Sequence, residues 1–205
     1  EWKGAYSMIK RFLILFIMML SITMTAGAIS LKELQSSPDF KLVSYKEYPS
    51  EASSYVEKFY SFIDLNSIRI VEYNPPKYTL QCTNYMVFDY TAGPEIKELE
   101  MTIYYDLNYS LATLIHANRE KQPNASLVDV IEIAERESGL VIKSKPLNTY
   151  QLNGDIWYPE NRSNHLDAEW KGSIDRSRGY QVIYDNADAL FKAVYLQHFD
   201  DILVQ

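Results

Sequence analysis

Residues 77–106, KYTLQCTNYMVFDYTAGPEIKELEMTIYYD, decide the fold. Tyr78, Leu80, Cys82, Met86, Phe88 and Tyr90 share one parity over thirteen residues, and a period of two marks one face of a strand. Ala92-Gly93-Pro94 interrupts the run with turn-forming residues. Leu99, Met101, Ile103 and Tyr105 then alternate with Glu98, Glu100, Thr102 and Tyr104, a strand with one dry and one wet face. Upstream, Ile68 to Tyr73 reads as a third strand, stopped by Asn74-Pro75-Pro76, because proline cannot donate to a ladder. Sequential strands joined by tight turns pair antiparallel.

Working outward, the spacing predicts a leader helix over Ser30 to Gln35, an extended stretch over Phe40 to Tyr45, and a helix from Ser50 to Asp64. In the last of these Ala52, Tyr55, Val56, Phe59, Phe62 and Ile63 recur at helical intervals. Downstream, Leu111, Leu114 and Ile115 open a helix that stops near Pro123. Ser126 and Asp129 form a capping box for a second, supported by Glu132 and Arg136 and closed by Gly139. A short strand from Leu140 to Ser144 follows, then a hairpin over Asn148 to Tyr158 turning at Asn153-Gly154. Leu166, Ala168 and Trp170 alternate as a strand, as do Tyr180, Val182 and Tyr184, and Ala187 to Ile202 is a terminal helix. The expectation is an α+β domain whose mostly antiparallel sheet is covered by helices. Asp200 and Asp201 oppose the negative end of such a terminal helix, which reads as a chain that continues or a frayed end.

The N-terminus carries an address. Lys10 and Arg11 precede the unbroken apolar run Phe12 to Leu20, and Ala26-Gly27-Ala28 offers the small side chains a signal peptidase accepts. Residues 8–28 read as a signal peptide starting at Met8, residues 1–7 as sequence ahead of the natural start, and residues 29–205 as one domain. The alternative is an uncleaved anchor, since Phe12 to Leu31 is uncharged; Ser21, Thr23, Thr25, Gly27 and Ser30 dilute its second half and favour cleavage. The expected location is secreted or periplasmic, with membrane contact only if the segment is retained.

Removing residues 1–28 takes away Lys3, Lys10, Arg11 and Glu1, leaving 17 basic against 26 acidic residues, a net charge of about −9. Such a chain repels phosphate backbones, so nucleic acid is not an expected partner. One cysteine, Cys82, forbids an internal disulfide, and its apolar parity reads as an inert buried thiol.

Chemistry-bearing patterns are sparse. His165 and Asp167 with His198 could form a facial metal triad, but the first two fall on the polar face of a strand. His116 and Glu120, one turn apart, read as a solvated helix face. No G-x-S-x-G or Gly-rich phosphate loop is present. No metal and no cofactor are expected, and no catalytic residue can be assigned. Glu98, Glu100, Asp155 and Asp167 are too many carboxylates to single out a pair. Tyrosine stands out, with 17 in the chain. Tyr and Trp suit interfaces, though most here fall on inward parities. Tyr85, Tyr104 and Trp157 fall on outward positions, and Arg176 and Arg178 make a small basic spot. These five are the candidate binding residues. The expectation is an exported, non-enzymatic interaction protein engaging a protein or an envelope polymer; the alternative is a secreted hydrolase with a site assembled only in three dimensions. Expressed from Met8 in an exporting host, the protein should appear with Ile29 as its first residue by N-terminal sequencing; a membrane-bound product retaining Lys10 would show an anchor instead.

Overall fold

The computed structural model describes residues 29–49, 56–91, 93–157, 169–174 and 181–204. In chain order the elements are α1 (Leu31–Ser36), β1 (Phe40–Pro49), β2 (Val56–Asp64), β3 (Arg69–Asn74), β4 (Lys77–Asp89), β5 (Glu95–Asp106), α2 (Leu111–Lys121), α3 (Leu127–Glu137), β6 (Leu140–Tyr150), β7 (Trp170–Ile174) and α4 (Gln181–Tyr195). The seven strands make one antiparallel sheet in the order β1-β2-β4-β5-β6-β7, with β3 also on β4. The architecture is α+β, as the alternation of residues 77–106 implies.

The long hairpin β4–β5 is the axis of the sheet, in register from Lys77 opposite Asp106 to Phe88 opposite Glu95. On its other edge β4 carries two shorter strands in series. Asn84 to Asp89 pair with β2, and Lys77 to Gln81 with β3. Between them the chain makes a 3-10 turn at Leu65–Ser67, where the Thr83 N–H donates to the Ser67 hydroxyl at 2.7 Å and stays satisfied without a strand opposite.

The region expected as a helix from Ser50 to Asp64 is instead β2 from Val56 onward; residues 50–55 lie outside the described part. A contiguous run such as Phe59-Tyr60-Ser61-Phe62-Ile63 fits a helical and a strand template equally well. Burial of all five settles it, since that needs dry surface on both faces. Likewise Val182 and Tyr184, expected in a strand, belong to α4, which starts earlier than expected and stops at Tyr195. Leu196 then takes φ 62°. The expected strand Leu140 to Ser144 and the first arm of the hairpin are one strand, β6, irregular between Pro146 and Asn148. Its turn does fall at Asn153-Gly154, with Gly154 at φ 99° and Tyr150 bridged to Ile156. The strand expected around Leu166 and Ala168 lies largely outside the described residues.

The helical hairpin between β5 and β6 follows its sequence signals. The Ser126 hydroxyl accepts from the Asp129 N–H at 3.1 Å, as a capping box requires. Two details differ. Arg136 Nε donates to the Glu132 carbonyl rather than the carboxylate, and Gly139 takes no left-handed cap. A Cβ on Gly139 would stand 3.3 Å from the Ile174 carbonyl oxygen, so its smallness admits β7.

Both sheet faces are dry in part. Face one, the Cys82 side, buries Leu80, Leu99, Met101, Ile103 and Tyr105 under Ala187, Leu190 and Phe191 of α4. Side chains of the Leu or Phe type each contribute about 1.5–3 kcal/mol when fully buried. Face two buries Tyr60, Phe62, Tyr85, Val87, Ile96 and Tyr150 beneath Ile29 and Leu34 of the α1 segment. Cys82 is 3 % exposed, and burial pushes its thiol up to about 12. A hydrogen-bonded cluster of three buried polar side chains interrupts face one. Asn84 Nδ2 and Asn186 Nδ2 both donate to the Ser61 hydroxyl, at 3.1 and 2.8 Å, and that hydroxyl donates to Asn186 Oδ1 at 3.0 Å. Asp200 does not face the end of α4. It accepts from Tyr184 Oη at 2.9 Å and from the Leu111 N–H at 3.1 Å, at the positive end of α2, where a carboxylate is stabilising.

Tyr105 is fully enclosed, and its hydroxyl donates to the Ala187 carbonyl at 2.7 Å. Burial holds it well above the ordinary tyrosine range, and Tyr85 and Tyr150 are raised for the same first reason. A folded-state value above the unfolded one contributes stability that is complete below the unfolded pKa of about 10 and lost as pH rises beyond it. Denaturant midpoints should therefore fall between about pH 9 and pH 11, less steeply for Tyr105→Phe; equal slopes for the two proteins would show that Tyr105 is not shielded.

Candidate functional site

The half of face two that α1 leaves uncovered ends in a groove of about 550 Å³. Its floor is the ends of strands: Glu72 from β3, Lys77 to Thr79 from β4, Tyr104 to Asp106 from β5, Val141 from β6 and Ser173 from β7. Its wall is Tyr109 and the last turn of α3 with the residues after it, Arg136 to Gly139. Strand parity explains the floor, since Thr79, Tyr104, Val141 and Ser173 lie side by side across the ladder. Asp106 shapes the wall by accepting from the Asn108 N–H at 3.1 Å and the Asn108 amide at 2.8 Å, which folds Leu107–Tyr109 into a 3-10 turn.

The charges of the groove are largely engaged within the protein. Lys77 stands 3.9 Å from Asp106, and the buried Thr79 hydroxyl donates to Glu72 at 3.2 Å. Glu137 accepts from the Asn118 amide at 3.0 Å, and the Ser138 hydroxyl donates to the Glu135 carbonyl. Lys171 Nζ sits 5.0 Å from the Tyr104 ring centroid, a cation–π contact. Lys171 lies directly opposite Lys143, a like-charge pairing that Glu169 relieves by bonding Lys143 at 2.8 Å. That bond raises Lys143 and lowers Glu169; both are exposed, so the pair adds little stability. The Tyr104 and Tyr109 hydroxyls make no hydrogen bond to any described residue. Such a surface can hold a ligand by stacking and by hydrogen bonding.

The five candidate residues do not converge. Tyr104 is in the groove. Tyr85, expected outward, is only 8 % exposed: face two has its own core there, and the Tyr85 hydroxyl donates to Glu98 at 3.1 Å. Glu98 also accepts from Tyr150 at 2.8 Å and from the Asn148 amide at 2.6 Å. This is a satisfied carboxylate that ties three strands together. Trp157 is half-buried with its backbone N–H donating to the Thr149 carbonyl, and it lines a separate concavity with Pro94 and Leu152. Pro94 and Tyr104 bracket nearly the whole of β5, which puts these places about 30 Å apart at about 3.4 Å per residue. Arg176 and Arg178 lie outside the described residues, as do His165 and Asp167.

His198 is held through Nδ1 by Asp188 at 2.5 Å, and Lys192 Nζ lies 2.8 Å from its Nε2. Asp188 also accepts from the Phe199 N–H at 3.0 Å. His198 and Lys192 edge a concavity whose other described lining residues, such as Leu196, Gln197, Asp201 and Ile202, carry no hydroxyl or thiol. The visible role of the Asp188–His198 pair is to fasten the turn after α4. His116 and Glu120 are 3.9 Å apart on an exposed helix face. Among the described residues, no three His, Cys, Asp or Glu side chains are grouped to hold a metal, and no helix is long and apolar enough to cross a membrane.

Sequence reading missed Tyr109, Glu72, Lys77 and Asp106. Lys77 and Asp106 lie at strand ends and Tyr109 in a short turn, where periodicity carries no signal, Glu72 lies within β3, and only the pairing of β3, β4 and β5 brings them together. No family model, no curated protein and no solved structure matches the chain.

Proposed function

We propose that this is an exported, non-enzymatic binding protein that engages a protein or envelope polymer outside the cytosol through the groove over Tyr104. The supporting observation is that Tyr104 and Tyr109 line one groove, two rings that enter no core and whose hydroxyls have no described partner. Aromatic side chains placed this way give a large contact area with only two rotatable bonds to order. Export rests on residues 8–28. The acidic surface adds a direction: the natural partner is not a polyanion.

A second reading, a secreted hydrolase, is favoured by one geometry, the Asp188 carboxylate orienting His198. It requires Lys192 to withdraw from Nε2 and a nucleophile to arrive from outside the described residues. The groove reading requires neither.

Captured from an extracellular or envelope fraction, the native partner should bind Tyr104→Ala at least about tenfold more weakly, the size of a moderate hot spot. Trp157→Ala, at the far end of the sheet, should bind as the parent does. Unchanged capture by a folded Tyr104→Ala protein would remove the groove from the function.

A further inference from the structure

We infer that the ligand of the groove is a neutral, polyhydroxylated chain, a glycan, rather than an ionic polymer or a folded protein surface. The inference rests on the binding role proposed for the Tyr104 groove and names its chemistry.

Charge points away from an ionic ligand. The groove places Glu72, Asp106 and Glu137 beside Lys77 and Arg136, so neither sign dominates. The lysines at and beside the groove are engaged where they stand, Lys77 near Asp106, Lys171 over the Tyr104 ring and Lys143 on Glu169, and Arg136 is held through Nε on the Glu132 carbonyl. An anion seated among these lysines would have to pull one of them away, and a cation would have to compete with Lys77 for Asp106. A neutral ligand meets this surface without breaking a contact.

The hydrogen-bonding capacity that remains suits hydroxyl groups. Phenolic hydroxyls both donate and accept, and those of Tyr104 and Tyr109 have no partner among the described residues. Asp106 and Glu72 present acceptor oxygens beside them, and ligand hydroxyls can donate to these. Tyr109 is 51 % exposed, so its ring is accessible to the C–H groups of a sugar, a contact that adds apolar burial to the polar ones. Size agrees. At about 550 Å³ the groove is in the range of about 300–1,000 Å³ typical of small-ligand sites, room for a few sugar rings.

The test uses the processed chain and a glycan array of neutral oligosaccharides (glucans, mannans, galactans and N-acetylhexosamine oligomers) beside anionic polysaccharides and peptides, followed by calorimetry on any neutral oligomer retained. The expected result is retention of at least one neutral oligomer. Its affinity should change less than about twofold on raising ionic strength from about 0.1 M to about 1 M, because no ion pair is made. It should fall at least about tenfold in Tyr109→Ala and much less in Tyr109→Phe, which keeps the ring. Retention of anionic polymers alone, with steep salt dependence, overturns the inference, as does an array that retains nothing neutral. If nothing neutral is retained while Tyr104→Ala still loses the native partner, the glycan assignment falls and the groove stands. If a neutral glycan binds equally to Tyr104→Ala and Tyr109→Ala, both fall.

Discussion

The fold turns on how α4 is seated. Its apolar stripe, Ala187, Leu190 and Phe191, would accept several positions on a surface of Leu, Ile and Met side chains, because apolar contact is non-directional. The hydrogen bonds among Ser61, Asn84 and Asn186 are directional. All three are essentially buried, and an unpaired amide or hydroxyl there would cost about 1–3 kcal/mol. They therefore fix one register of helix on sheet. That register places Tyr184 on Asp200, and Asp200 on the first turn of α2. The Ile202 carbonyl accepts from Ser110 at 2.6 Å, and the Val204 N–H donates to the Thr113 hydroxyl at 3.0 Å. The seat of α4 thus propagates to α2, to the α3 that packs on it, and so to the Arg136 to Gly139 wall of the groove.

The other face is organised by a different device. Glu98 gathers Tyr85, Tyr150 and Asn148 from β4 and β6, and the ring of Tyr85 meets Phe40 edge-on at 5.6 Å. A carboxylate satisfied by three donors locks adjacent strands without an ion pair. The tyrosine richness of the chain is explained largely by such packing: Tyr60, Tyr85, Tyr105, Tyr150 and Tyr184 are buried, and Tyr78 and Tyr195 stack into the aromatic cluster around Phe191. Tyr104 and Tyr109 lie outside that explanation, which is why the proposed binding role rests on them.

Much of the sheet was legible because residues 98–106 alternate cleanly, residues 78–90 keep one apolar parity apart from Asn84, and Pro and Gly punctuate them. The cap at Ser126 and the helix from Leu111 were legible for the same local reason. What failed were segments whose character is set by distant partners. Phe59 to Ile63 place apolar residues on both faces, and pairing with β1 and β4 makes them a strand. Val182 and Tyr184 alternate like a strand, yet Tyr184, Ala187 and Phe191 also lie on one helical stripe, and the sheet selects the stripe. Asn84, Ser61 and the buried pair Lys97 and Glu95, 3.7 Å apart, break the apolar parity of face one, and nothing local announces that they point inward. Of the candidate groove, sequence singled out Tyr104, whose polar-face parity on β5 puts it beside Thr79 and Val141. It misplaced Tyr85, because outward on an alternating strand need not mean exposed when the sheet has two cores.

The claim that the groove wall depends on the seat of α4 is tested most directly by Asn186→Ala, with denaturant unfolding and amide hydrogen exchange measured together. The substitution should cost about 1–3 kcal/mol and lower protection jointly in α4, in the first turn of α2 and at the C-terminal turn of α3. A loss confined to α4, with α2 and α3 as protected as in the parent, would show that the wall stands on its own.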